Sequence, residues 1–230
     1  MKNVIITGAS GMIGGIILQN CLQNKDIKQV TSIVRKKSGI ENPKLNEVIH
    51  TDFSDFSPIS RQLKGYDICF YCIGVYTGEV NRDTFREITV DYTKAFAEVL
   101  RKENAKTTFC FLSGQGADRK EKSRLMFAKD KGIAENILLG LSFDQLYIFR
   151  PGYIYPVTPR KEPNLTYRMM RVLYKYILSK VYPQVAVTSE GLAKVMTHAG
   201  LYRGNKTTYE NKDILYHLAE MNKTPPVSSF

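Results

Sequence analysis

The segment VIITGASGMIGGI, residues 4–16, constrains this chain more than any other. An apolar, β-branched run ends at Thr7, glycines follow at Gly8, Gly11 and Gly14, and an apolar helical pattern begins at Met12. A strand that feeds a helix through such a turn leaves the first N–H groups of the helix without intrahelical partners. Those groups face whatever lies beyond the turn, and they favour anions. Each glycine has its own task. Gly8 permits the tight turn, Gly11 lets a pyrophosphate approach the backbone, and Gly14 lets the helix lie close on the strand. The backbone from Ser10 through Gly11, Met12 and Ile13 to Gly14 therefore reads as a phosphate cradle of the dinucleotide-binding kind.

The alternation continues down the chain. Strand patterns fall at Asn3–Thr7, Val30–Val34, Glu47–His50, Ile68–Cys72, Thr107–Leu112 and Leu146–Arg150. Helical patterns lie between them at Met12–Asn24, weakly at Ile59–Leu63, at Asp83–Lys102 and at Ser123–Leu141. Nearly all-apolar strands alternating with helices predict an α/β fold, a doubly wound parallel sheet of the Rossmann type, with strands buried on both faces. Residues 1–230 read as one domain. After Arg150 the proline-rich stretch RPGYIYPVTPRKEPNL predicts a loop or extended segment. Residues 151–202 then read as a small C-terminal helical region that covers or shapes a substrate site. Within it, Leu165–Val181 is amphipathic, with Arg168, Arg171 and Lys175 opposite Met170, Leu173, Ile177 and Val181. It is open whether that helix simply packs on the domain, forms a basic lid or meets a membrane surface. Ser189–Tyr202 is a further helix with Thr188 or Ser189 as N-cap, and Asn211–Glu220 is the last.

The formal net charge of +11 favours anionic partners such as nucleotides, phosphorylated metabolites or acidic membranes. The basic residues form no long run, and no zinc-finger spacing or RNA-recognition signature is present, so nucleic acid is not an expected partner. Cys21, Cys69, Cys72 and Cys110 do not form a disulfide framework, and a reducing cytosol is the expected compartment. Cys69 and Cys72 make a formal C-x-x-C, but residues three apart on a strand point to opposite faces. The histidines are scattered, and no metal site is expected. The apolar N-terminal stretch is broken by Gly8, Gly11, Gly14 and Gly15, unlike a signal peptide, and no run reaches the ~18 apolar residues of a membrane helix.

The end of the second strand selects the dinucleotide. A site for NAD places Asp or Glu there, on the ribose hydroxyls. This chain has IVRKKSG, with Arg35, Lys36 and Lys37 and no carboxylate. Cations where a 2′-phosphate would lie favour NADP (NADPH) over NAD. The competing reading is an ordinary solvated turn.

The glycine loop, with the stretches TGASGMIG, VRKK, FLSGQGAD, KGIAE, LYIFRPG and NKDI, resembles the short-chain dehydrogenase/reductase superfamily in its extended or atypical branches. Over nearly the whole chain the resemblance is to the Tat-interacting-protein-like atypical short-chain dehydrogenases, compact NADP-binding proteins often described as oxidoreductases or nucleoside-diphosphate-sugar epimerases. It implies that Asp52 and Phe53 meet the adenine and that Cys72, Ile73 and Gly74 line the cofactor ribose. It also implies a catalytic row of Ser113 after the fifth strand and Tyr-x-x-x-Lys on the next helix. The lysine, Lys131, would hold the nicotinamide ribose. The tyrosine would be the general acid or base, but Phe127 stands at its place.

A phenyl ring has no proton to give, and losing a positioned acid costs about 10²–10⁴-fold in rate. Tyr76, Tyr153 and Tyr155 follow strands and are candidates to line the mouth and meet substrate, and Ser113 is a candidate to act through water. Ser113 also fits a loop or cap role, and Lys131 a solvated helix position. Two functions follow. One is an NADP(H)-dependent oxidoreductase of a small carbonyl or hydroxyl compound with a displaced acid. The other is a non-catalytic dinucleotide-binding regulator or scaffold. A nucleotide-sugar epimerase is less expected, because the 80 residues after Arg150 are few for a sugar-nucleotide domain.

Overall fold

In the computed structural model the described residues are 1–158 and 183–223. Among them the chain builds a seven-stranded sheet in the order β3-β2-β1-β4-β5-β6-β9, parallel at every pairing. The strands are β1 (Lys2–Thr7), β2 (Ile27–Val34), β3 (Leu45–Ile49), β4 (Ile68–Tyr71), β5 (Thr108–Leu112), β6 (Gln145–Arg150) and β9 (Thr208–Glu210). A separate parallel pair joins β7 (Tyr153–Tyr155) to β8 (Ala186–Thr188). The helices are α1 (Met12–Gln23), α2 (Arg82–Arg86), α3 (Tyr92–Glu103), α4 (Met126–Gly140), α5 (Ser189–Tyr202) and α6 (Asn211–Lys223). The weak pattern near Ile59 is a 3-10 turn at Ser57–Leu63.

The order places a topological switch between β1 and β4. From β1 the chain works outward through β2 and β3, then returns to β4 on the other side. Beyond the carboxyl ends of strands at such a switch, the connections diverge and leave a crevice. That is where the glycine turn lies.

Strand alternation divides the core into two layers. Val4, Ile6, Phe70 and Cys110 pack with α1, α5 and α6 on one face. Ile5, Cys69, Tyr71, Phe109 and Phe111 pack with α3 and α4 on the other. Cys69 belongs to the second layer and Cys72 packs against the first, so the C-x-x-C pair is split across the sheet.

Thr188 caps α5, accepting a hydrogen bond from Gly191 N at 3.0 Å, and the helix packs on the sheet beside α1. This part of the region read as a lid is thus a core helix. The basic helix expected at 165–181 lies outside the described residues. The predicted helix 83–102 is interrupted: α2 and α3 are joined by a π turn at Glu87–Asp91. Such turns recur beside functional sites.

A methyl group at Gly14 would overlap the Gly8 carbonyl, reaching its carbon at 2.7 Å. Overpacking of that kind costs about 1–3 kcal/mol. Gly14→Ala is therefore expected to lower the urea midpoint with an unchanged slope. An unaltered midpoint would show that α1 does not press on the turn.

Candidate nucleotide and active site

Gly8 adopts φ +77°, and a side chain there would meet Cys72 O at 2.6 Å, at the end of β4. Only glycine suits both the dihedral and the contact. Gly11 N donates to Gly8 O at 2.9 Å, and Gly11 is the N-cap of α1 with no side-chain hydrogen bond to that helix. No acidic residue stands in the first turn. The N–H groups of Met12, Ile13 and Gly14 are consequently uncapped, at the positive end of the helix dipole. An uncapped N-terminus behind a rigid glycine turn fits a pyrophosphate.

Arg35 and Lys36, just past β2, are exposed, and neither forms an ion pair among the described residues. Asp52 is exposed and held by Ser54, whose hydroxyl and backbone N–H donate to Oδ1 at 2.5 and 2.9 Å. These bonds hold its carboxyl below the usual range. The Phe53 ring is buried, edge-on to Phe56 with centroids 5.4 Å apart and 6.0 Å from Tyr92. Its ring therefore builds the core and is not turned to the surface. Burial raises the Tyr92 phenol, Glu87 and Asp52 raise it further, and Arg35 opposes them, so these groups form one charged rim.

Next to the cradle opens a cleft of about 490 Å³. It brings together Gly11, Met12, Ile13, Cys72, Ile73, Gly74, Tyr76, Ser113, Phe127, Lys131 and Tyr153. Gly8, Ser10, Gly14, Arg35, Lys36, Asp52 and Phe53 do not line it. The first three lie in the turn and its helix, and the others flank the ends of β2 and β3.

Ser113 is buried and its hydroxyl is turned inward, donating to Glu135 Oε1 at 2.5 Å. Glu135 has no exposure and also accepts from Arg119 Nε at 2.7 Å and Arg150 Nε at 2.9 Å. A second guanidinium nitrogen of Arg150 also meets Glu135, and a third reaches Glu210 Oε1 at 2.9 Å. Bonding to Glu135 is the main cause that raises the Arg150 pKa. Sequence reasoning missed this hub, because its members come from α4, the loop between β5 and α4, and two strands.

Lys131 is 7% exposed, donates to Leu112 O at 3.2 Å and lies 5.1 Å from the centroid of the Phe111 ring. Burial pulls its pKa down to about 8, against the smaller opposing effects of Glu135 and Cys72. Phe127, on the same face of α4, points its ring tip at Gly114. A methyl group there would strike Phe127 Cζ first and the two flanking ring carbons at 3.2 and 3.4 Å. Phe85 packs beside it, with centroids 6.4 Å apart. A hydroxyl on Cζ would project into the Gly114 backbone. The position is shaped for a ring without oxygen.

A family model described as NAD(P)H-binding matches residues 8–158, a span that runs from the glycine turn through the whole cleft. The chain belongs to this NAD(P)H-binding family. Protein HTATIP2 of Rattus norvegicus is 32% identical over 155 residues, 66% of this chain and 63% of that protein. The chain thus matches somewhat less than two thirds of the rat protein's length. Protein FMP52, mitochondrial, of Candida albicans is 28% identical over 168 residues, 70% of each. These matches place the chain with the Tat-interacting-protein-like atypical short-chain dehydrogenases. The UDP-N-acetylglucosamine 4-epimerase of Bacillus cereus superposes with a TM-score of 0.66 at 13% identity, over 91% of this chain and 78% of the epimerase. At that identity the likeness is one of fold.

Two substitutions test the electrostatics. Lys131 has a lower pKa folded than unfolded, so the folded state binds fewer protons and stability rises with pH from about 8 to 10.5. Below that window the cost of burying the cation is fully present. Lys131→Met should therefore stabilise the fold at pH 7 by about 1–3 kcal/mol, a gain that shrinks above pH 8. Urea unfolding at several pH values measures it, and a pH-independent effect would refute the assignment. Glu135→Ala strands Arg150 and should cost about 3–5 kcal/mol. A loss under about 1 kcal/mol, within the range of surface pairs, would show that the hub is not a stabilising lock.

Proposed function

We propose that this chain is an NADP(H)-dependent oxidoreductase acting on a small carbonyl or hydroxyl compound. The observation that carries this reading is one cleft in which an uncapped helix N-terminus and a buried ammonium, Lys131, converge. The first turn of α1 would hold the pyrophosphate, Arg35 and Lys36 the 2′-phosphate, and Asp52 with the Phe53 backbone the adenine. Cys72, Ile73 and Gly74 would line the ribose, and Lys131 would bond its hydroxyls. Tyr76 and Tyr153 would meet the substrate across the cleft. When bound, the reduced nicotinamide supplies a hydride. The protein's part is to orient that ring, exclude water and manage one proton.

The second reading, a dinucleotide-binding regulator without turnover, is favoured by a different observation. Ser113 is spent on Glu135 and Phe127 is seated on Gly114, so two places of the family's catalytic row serve the fold. Four unbridged cysteines suit a reducing compartment such as the cytosol for either role.

A binding titration with NADPH, NADP⁺ and NAD⁺ separates these claims. NADP(H) should bind more tightly than NAD⁺. Arg35→Ala should weaken NADPH about tenfold, the ~1.4 kcal/mol of one exposed charge-assisted contact, while leaving NAD⁺ unchanged. If no dinucleotide binds, the reading fails outright. If NAD⁺ matches NADP⁺ and Arg35→Ala alters neither, the 2′-phosphate assignment fails alone.

A further inference from the structure

The groups around Phe127 identify which atom is placed to give a proton in its stead. Phe127 and Lys131 are four residues apart on α4, hence neighbours on one helical face, and both line the cleft. An ammonium has three protons to donate. One from Lys131 goes to Leu112 O at 3.2 Å. The carboxylate that acts on it, Glu135, lies one turn on, but Ser113, Arg119 and Arg150 occupy its oxygens. Among the described residues Lys131 forms no ion pair, so two protons remain for the cleft.

The groups that act on or adjoin Lys131 do not compete for its place. The Cys72 thiol, at the end of β4, is pushed up to about 12 by burial and stays neutral. Asp130, the residue before Lys131 on α4, is turned to Arg82 and Arg86 at 3.6 and 3.4 Å. Tyr76, Glu79 and Tyr153 line the same cleft, the two phenols as candidates to meet substrate. Ser113 is committed to Glu135 as donor.

We propose that Lys131 Nζ is the proton donor to the oxygen of a carbonyl substrate, in place of the phenol that Phe127 lacks. The proposal rests on the oxidoreductase reading and adds the acid to it. In the reductive direction the carbonyl carbon accepts a hydride, two electrons with one hydrogen nucleus, from reduced nicotinamide dinucleotide, which is thereby oxidised. The carbon–oxygen π bond breaks, and its electron pair forms an O–H bond with a proton from Nζ as the N–H bond breaks. The amine regains its proton from water. A buried lysine that releases its proton near pH 8 is matched to this work, whereas an exposed one is too basic.

The test begins with the wild-type chain free of nucleotide. Competitive acetylation by acetic anhydride over a pH series, read by mass spectrometry, should show Lys131 titrating near 8. Titration together with an exposed lysine such as Lys36 overturns the proposal. Next, with NADPH binding verified by fluorescence, reduction of a panel of aliphatic and aromatic aldehydes and ketones is assayed. Wild-type turnover should fall as pH rises through about 8. Lys131→Ala should lower kcat about 10²–10⁴-fold, and added methylammonium should restore part of it. Lys131→Arg keeps the charge but holds its proton too tightly, and should stay slow. If Lys131→Ala raises only the KM for NADPH, without amine rescue, the lysine holds ribose and the proposal is wrong. Absence of NADPH binding defeats the dinucleotide reading. Binding without turnover of any carbonyl defeats the oxidoreductase reading and this proposal with it. Turnover indifferent to Lys131→Ala defeats the proposal alone.

Discussion

Glu135 carries a fully buried carboxylate to which Ser113, Arg119 and Arg150 all donate, with Arg150 bridging onward to Glu210. These partners come from the ends of β5 and β6, the loop after β5, and β9, so one side chain on α4 fastens the carboxyl edge of half the sheet. Buried charges are tolerated when paired and fully hydrogen-bonded, and Glu135 meets that condition. Two backbone contacts tighten the same helix. Asp118 N donates to Ala128 O at 2.8 Å, and Gly132 lies so close to Asp118 that a side chain would collide with its carbonyl. Fixing α4 in this way fixes the face it shows the cleft. Because Lys131 precedes Glu135 by one turn and Phe127 precedes Lys131 by another, the lock determines where both point.

What was legible in the sequence was local. The glycine turn is readable because each glycine answers to its own dihedral or contact, as Gly8 does with φ +77° and Cys72 beneath it. The six longer sheet strands were found to within about three residues, since strands buried on both faces are apolar throughout. The three-residue strands β7, β8 and β9 were not found. Tyr153–Tyr155 sits among prolines, and Thr208–Glu210 ends in a glutamate, so their pairing is decided by what they lie against. The site divides the same way. Lys131 and Phe127 follow from a spacing of four on one helix. The inward turn of Ser113 depends on a glutamate 22 residues away, and the seat of Phe127 on a glycine 13 residues earlier, and no periodicity links such pairs.

The seat of Phe127 is built for a phenyl ring. In a tyrosine site the cleft must leave room and a partner for the phenol. Here the ring axis runs into Gly114, Phe85 closes the side, and the hydroxyl of Ser113, which lines the same cleft, is bonded to Glu135. Ring, glycine and serine are mutually consistent, so adding one oxygen to the ring would meet backbone rather than open cleft.

Three ionisable side chains on α4 are then best understood together. Asp130, Lys131 and Glu135 are all buried, at 0, 7 and 0% exposure. Asp130 has Arg82 and Arg86, and Glu135 has Arg119 and Arg150. Lys131 has a carbonyl, an aromatic face and the open cleft. For stability alone an apolar residue would serve better at that position, since an unpaired buried cation opposes folding. The helix pairs both of its acids with arginines, through one oxygen in the case of Asp130, and leaves its one buried base without an ion pair beside the cleft. Unpaired burial beside a pocket is the environment that perturbs a group for chemistry, and among the three it is found only at Lys131.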